Sequence, residues 1–495
     1  PLSKYYHQCI GMVSWSKTAL LLVSTISRTS GFQPSPLSIK RARPSHHSWA
    51  LSSSHHHDGQ PTSKQAKTTV SSQAALIAGT TIGGGFLALP AATAPGGFFP
   101  SAVGLVAVWT YLLGCSLSFA NAIFMMKDGR GRIEDKHQAN NTNDDEEISI
   151  FSLVRECFGN TSGVVTGLLF LLLIKATLVA QLSKAGVLLQ SNMLLPNVSR
   201  GVWTIVFSVI VALVCLVGKQ RHIERINDVM TSSMILSFLT LIALAGRSGW
   251  TIDGLKRADY RTLFPSLGSP WVAPIFIQLL LYNEVVPLVS ARLGDETKVR
   301  RAILYGSTVP LLMCLIWSCV ALGIVPYEPT LVATNGGSLI YDPLSRLSER
   351  VIAKGGSIGK VFLSSVNTMA GSAICTTVFG SILATTQYLD DVITHSFGGR
   401  KDTSWTRIFK HSFAIFPSAM IAALGSSELY YHATSFAGEF PCTFLFGLIP
   451  PICNLRLRWK LRKQSERIES KDVAVQALLA FVSVVILAAC RLTRS

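Results

Sequence analysis

Residues 78–90 read Ala78-Gly79-Thr80-Thr81-Ile82-Gly83-Gly84-Gly85-Phe86-Leu87-Ala88-Leu89-Pro90, inside an apolar segment, residues 70–94, of about one membrane thickness. Three successive glycines, after two threonines and another glycine, are poor helix material, each glycine costing about 1 kcal/mol relative to alanine within a helix. In lipid an unpaired backbone N–H or C=O costs several kcal/mol, so a broken membrane helix survives only where its open backbone faces protein or a polar cavity. Two readings follow. Either the glycines let a neighbouring helix approach closely, or they form a break of the kind that holds a solute and a coupling ion near the midplane of a membrane.

The surrounding chain is built for a lipid bilayer. Of 495 residues, 49% are hydrophobic and 14% charged, against about 25% charged in soluble domains; the mean hydropathy is +0.40. The expected fold class is all-α and polytopic. Eleven apolar segments are expected near 70–94, 98–124, 162–189, 201–217, 228–245, 271–290, 302–325, 357–387, 408–425, 433–453 and 473–490, with a short tail at 491–495. The net charge of +17 sits in loops between apolar runs, which marks membrane topology rather than nucleic-acid binding. Basic residues favour the loops after even-numbered segments, such as Lys219, Arg221, Arg300, Arg301, Arg458 and Lys460. The N-terminus is therefore expected inside and the C-terminus outside. The polar loop at 127–149 is expected to be solvated, and Ile150–Phe158 to be a short amphipathic interfacial helix. The ten cysteines are scattered, without CxxC or other metal spacing. With no phosphate-binding loop or nucleophile elbow either, no enzyme activity, metal or cofactor is expected.

Residues 1–69 differ in kind, being rich in Ser, His, Lys, Arg and Pro. A basic flank and short apolar core at 17–26, then Thr29-Ser30-Gly31 before Phe32, then nearly acid-free sequence over 32–67, read as a signal core joined to a transit-like region. Such an arrangement resembles the bipartite presequences of complex plastids. The expectation is a plastid inner-envelope protein with a stromal N-terminus; a disordered tail on a plasma-membrane or other endomembrane protein is the alternative.

A second interruption lies in segment 6, at Trp271 to Pro287, where Tyr282-Asn283-Glu284 places costly polar groups in mid-span beside prolines. Segments 1 and 6 each open a block of five. Corresponding breaks in two halves of a membrane protein point to a transport site, and the packing reading of the glycines recedes.

The residues 78–90 resemble the first-helix signature of the aromatic amino-acid permeases, the tryptophan/tyrosine permease family. Further matches are Val286-Pro287-Leu288-Val289, Leu293-Gly294-Asp295, Lys298-Val299-Arg300-Arg301-Ala302-Ile303, Gly306-Ser307-Thr308-Val309-Pro310-Leu311, Trp317, Ala321-Leu322-Gly323, and Gly380-Ser381-Ile382-Leu383 through Tyr388-Leu389-Asp390-Asp391. The resemblance covers about residues 70–490 and is strongest to the plant and algal branch. It implies the five-plus-five inverted repeat of the amino acid–polyamine–cation superfamily, broken helices 1 and 6, alternating access, and proton-coupled uptake of aromatic amino acids. Another neutral amino acid, an indole compound, or a non-transporting sensor or scaffold stands as the alternative.

By this reading Gly79, Thr80, Thr81, Ile82, Gly83, Gly84, Gly85, Tyr282, Asn283, Glu284, Lys175 and Gln181 are the candidate substrate-binding residues. Glu284 and Lys175 are candidates for proton coupling. The bacterial family usually has Phe-His-Gly, and plant relatives His-Asp, where this chain has Tyr282-Asn283-Glu284. Lys175, where relatives usually carry Tyr, is expected to pair with Glu284 or with a substrate carboxylate, unless it snorkels to the interface. Lys184 is expected to reach the interface, and Glu439 to lie near it. Ser372, Thr376 and Thr377 recur at helical spacing in segment 8 and suit either interhelical hydrogen bonds or a contact with ion or substrate.

Overall fold

The computed structural model describes residues 69–94, 96–134, 148–192, 198–218, 220–245, 250–256, 272–325, 356–397, 404–426, 428–462 and 470–492. The presequence expected over residues 1–69 falls almost wholly outside them. Every regular element among the described residues is helical.

The first segment is broken where the glycines stand. Helix α1 (Val70–Thr81) starts at Thr69, whose hydroxyl accepts from the Ser72 N–H, and stops at Thr81. Ile82 and Gly83 are extended, with ψ of 103° and −168°. A 3-10 turn (Gly84–Ala88) then leads into α2 (Leu89–Thr93), with Pro90 in its first turn, where a missing N–H costs nothing. The two halves are bent by 49°. The Thr80 and Thr81 hydroxyls donate back to the Leu76 and Ile77 carbonyls, so both side chains are satisfied within their own helix.

The next helices are α3 (Phe98–Glu134), the short α4 (Ile150–Phe158), α5 (Asn160–Asn192), α6 (Arg200–Val217), α7 (Gln220–Ala245) and the five-residue α8 (Ile252–Lys256), which was not expected. Helix α3 runs on to Glu134, so the first residues of the expected solvated loop at 127–149 are helical; residues 135–147 lie outside the described set. Helix α4 is amphipathic as read. Ser149 caps it, Ile150, Leu153, Val154 and Cys157 are buried, and Gly159, at φ 92°, ends it.

Segment 6 is also broken. Helix α9 (Val272–Leu279) gives way to a 3-10 turn (Asn283–Val285) and then α10 (Val286–Leu293). Pro274 lies in the first turn of α9, where no helical bond is lost, so the interruption falls at residues 280–282. Gly294, at φ 63°, closes α10, and Asp295 caps α11 (Glu296–Ile324) by accepting from the Thr297 and Lys298 N–H groups. Those bonds, with the nearby Lys298 and Arg301 charges, hold its carboxyl below the usual aspartate range.

The chain ends with α12 (Gly356–Phe397), α13 (Ser404–Leu424), α14 (Leu429–Ala437), a π-helix (Gly438–Leu448), α15 (Ile449–Arg462) and α16 (Ser470–Leu492). Each expected segment has a helix. Nine of the described helices are long and apolar enough to cross a membrane, and the bent first pair makes ten. The expected eleven is not reached by that measure. Its missing member is α13, which is 21 residues long but carries Arg407, Lys410 and His411 in its first half.

Many of the described glycines allow close helix approach. A Cβ on Gly306 of α11 would fall 2.7 Å from the Ala74 carbonyl oxygen and Ile77, so α1 and α11 meet backbone to side chain. A Cβ on Gly438 would fall 1.8 Å from the Pro274 carbonyl oxygen, which fixes the π-helix against α9. Gly438→Ala is expected to destabilise the protein by about 1–3 kcal/mol through overpacking. Gly380→Ala, with nothing within 4 Å of the added methyl, is expected to leave stability unchanged or to raise it by about 0.5–1 kcal/mol. Thermal unfolding of the detergent-solubilised protein compares the two; equal melting temperatures would contradict the close approach.

Candidate functional site

The open backbone of the first-segment break is held by three other segments. The Gly84 N–H donates to Thr377 Oγ1 at 2.8 Å, and Thr377 in turn donates to the Ala373 carbonyl within α12. The Tyr430 hydroxyl from α14 donates to the Gly84 carbonyl at 2.8 Å and lies 3.5 Å from that of Gly85. Gln181 of α5 presses its carboxamide on Gly84, where an added Cβ would sit 1.8 Å from Oε1. A Cβ on Gly83 would meet Thr377 Oγ1 at 2.6 Å, and one on Gly85 would lie 3.9 Å from the Leu279 Cα of α9. The two broken segments therefore touch. Next to them Phe86 stacks on Trp317 with ring centroids 5.6 Å apart and meets Phe238 edge-on at 5.8 Å, which pins the chain just beyond the break.

The sequence-derived candidates divide on this geometry. Gly83, Gly84, Gly85, Gln181 and Thr377 converge. Gly79 has nothing within 4 Å of an added Cβ, Thr80 and Thr81 are spent on their own helix, and Ile82 is a buried linker residue. Thr376 bonds only to the Ala373 carbonyl, and Ser372 is buried in α12. At the second break Tyr282 and Asn283 are fully buried. Ser116 of α3 donates to Asn283 Oδ1 at 2.9 Å, and Asn283 Nδ2 donates to the Phe446 carbonyl at 3.4 Å. Asn283 thus ties the break to segments 2 and 10.

Glu284 is different in kind. It is exposed, between the buried Asn283 and the half-buried Val285. Cys442 of the π-helix lies close enough to feel its charge. No described residue donates a hydrogen bond to this carboxylate.

The expected pairing of Lys175 with Glu284 is not found. Lys175 Nζ donates to the Phe413 and Ala414 carbonyls of α13, at 2.6 Å each, and lies 4.8 Å from the Phe413 ring centroid. The cause is Pro417. Having no N–H, it leaves the Phe413 carbonyl, four residues back, without a helical donor, and the lysine fills that vacancy. Nor does Lys184 reach the interface. It is buried at 7% exposure, with Nζ 5.4 Å from the Tyr430 ring and 5.7 Å from the Tyr431 ring. Glu439, expected near the interface, is buried in the first turn of the π-helix. Tyr430 lies ahead of the apolar run that marks segment 10 from residue 433, whereas α14 begins at Leu429. The signal was two successive tyrosines just ahead of an apolar run. Among the described residues no group of three metal-binding side chains occurs.

The model of the tryptophan/tyrosine permease family matches residues 66–489. The chain belongs to that family. As a permease it moves solutes rather than transforming them. Its relatives include the tyrosine-specific transport system 1 of Haemophilus influenzae, 23% identical over 390 residues that make up 78% of this chain and 87% of that protein. The low affinity tryptophan permease of Escherichia coli K12 is 22% identical over 435 residues, 83% of this chain and 93% of that protein. Among solved structures, the manganese transporter of Eremococcus coleocola, in complex with an aromatic bis-isothiourea substituted compound, aligns at 15% identity. That alignment covers 85% of this chain and 86% of that one, with a TM-score of 0.47.

For this permease the tight seat of Gly84 predicts a sharp contrast between two glycines of one motif. Gly84→Ala drives a methyl into Gln181 and is expected to cost about 1–3 kcal/mol at the site, roughly tenfold or more in solute uptake. Gly79→Ala is expected to leave uptake intact. Equal uptake by the two variants, at matched membrane abundance, would contradict the arrangement.

Proposed function

We propose that this permease carries aromatic amino acids, tryptophan and tyrosine foremost, by alternating access and with proton coupling. The observation that carries the reading is the meeting of two broken segments at Gly83–Gly85 and Leu279, inside a chain whose relatives are named for tyrosine and tryptophan transport. A break of this kind presents backbone N–H groups to a carboxylate, and the first-turn dipole of the following half-helix favours the negative charge. Apolar and aromatic side chains such as Phe86 and Trp317 suit an aromatic cargo. Motion of the first segment against Thr377, Gln181 and Tyr430 then opens the site to one side or the other.

Glu284 is the proton carrier in this reading. It is an exposed carboxyl at a helix break, without a hydrogen-bond donor among the described residues, and a carboxyl in such a place changes charge as its access changes. Lys175 is a structural tie between segments 3 and 9 and has no part in coupling. In proteoliposomes, labelled tryptophan or tyrosine is expected to accumulate when a pH gradient is imposed. Glu284→Gln is expected to remove gradient-driven accumulation while sparing exchange. Absence of any aromatic amino-acid uptake sinks the substrate reading; unaltered accumulation by Glu284→Gln sinks only the assignment of the proton.

From the N-terminal sequence we further propose that the permease lies in the plastid inner envelope with a stromal N-terminus. Residues 12–69 fused to a fluorescent protein are expected to enter plastids. A cytosolic or plasma-membrane signal would reject that placement.

A further inference from the structure

Two buried carboxamide oxygens beside the first-segment break accept no hydrogen bond: Gln181 Oε1 and Gln278 Oε1. Such orphans are costly, about 1–3 kcal/mol each. The orientation of Gln278 follows from its partner. Thr177 Oγ1 gives its one hydrogen to the Leu173 carbonyl at 3.0 Å, so towards Gln278 it can only accept. Gln278 therefore presents Nε2, at 3.2 Å, and Oε1 is left as the free end.

The two oxygens belong to one place. Thr177, which holds Gln278, and Gln181 are one helical turn apart on α5, about 5–6 Å between Cβ atoms. Gln181 abuts Gly84, while Gln278 has its Cβ against Gly438 of the π-helix and its amide on Thr177. The two amides are thus neighbours along the face of segment 3 that meets the first break. The Gly84 carbonyl is already served by the one hydrogen of the Tyr430 hydroxyl.

We propose that Gln181 and Gln278 form the subsite for the α-ammonium group of the cargo, and so make the permease select an amino acid over the corresponding deaminated acid. The assignment rests on the amino-acid transport reading above and adds the residues that enforce it. An ammonium group is donor-only, with three N–H bonds to give. It satisfies both orphan oxygens at once, whereas a deaminated acid leaves both buried and unpaired. Hydrogen bonds to a charged group of this kind correspond to a discrimination of roughly 10- to 100-fold.

The test is competition against labelled tryptophan binding to the full-length permease in detergent, with unlabelled tryptophan and indole-3-propionate as competitors. The unaltered protein is expected to prefer tryptophan by roughly 10- to 100-fold. Gln181→Met and Gln278→Met, which keep side-chain length, are expected to weaken tryptophan while leaving indole-3-propionate unchanged, so that the preference collapses. Gln278→Glu, which keeps an acceptor, is expected to restore it. Equal weakening of both competitors in the Met variants would mean a packing role and would overturn the proposal, as would an unchanged preference. Failure of the unaltered protein to bind tryptophan at all would instead strike the aromatic amino-acid reading itself.

Discussion

A helix interrupted inside a membrane leaves backbone groups that water cannot reach, and the rest of this structure is arranged around satisfying them. At Gly84 the unpaired N–H goes to Thr377 and the unpaired carbonyl to Tyr430. At the second break Ser116, Asn283 and the Phe446 carbonyl form a short chain of hydrogen bonds. These bonds bring segments 2, 8 and 10 against the two interrupted segments. Each is worth more here than in water, because the alternative is a bare dipole in hydrocarbon. The glycines serve the same end. Only a residue without a Cβ lets Thr377 and Gln181 lie directly on the backbone at Gly83 and Gly84.

The charged residues within the bundle obey a related constraint. A lysine in lipid needs acceptors, and Lys175 finds them where Pro417 has removed a helical donor. A proline in one helix and a lysine in another thus compensate each other, with no carboxylate between them. Lys184 lies instead over two aromatic faces, Tyr430 and Tyr431, an arrangement that favours a cation removed from water. Tyr430 is therefore shared: its ring faces the lysine and its hydroxyl faces the broken helix. Glu284 remains as the exposed carboxyl at the second break, which is why the proton is assigned to it rather than to a lysine.

Much of this was legible in the chain itself. The glycine run of residues 83–85, the Tyr282-Asn283-Glu284 interruption, the apolar segments and the amphipathic helix at Ile150–Phe158 are local patterns. Local patterns record what a segment does with its own backbone and which face it hides. Thr377 could be suggested from its spacing in segment 8, and Gln181 from its place in segment 3. Tyr430 left only the doublet Tyr430-Tyr431 ahead of an apolar run, and Gln278 could not be singled out, since nothing near it in sequence says what it faces.

The sequence by itself determined that this protein is a bundle of membrane helices with two breaks, and its motifs determined the family, because hydropathy, glycine runs and motif order are properties of the chain in one dimension. Only the tertiary structure decided which side chains close those breaks. It turned Lys175 to the carbonyls freed by Pro417 instead of to Glu284, buried Lys184 against Tyr430 and Tyr431, and left the oxygens of Gln181 and Gln278 without donors. The reason is rotational. A residue's partner depends on how each helix is turned about its axis and what packs against that face, and that is set jointly by all the segments.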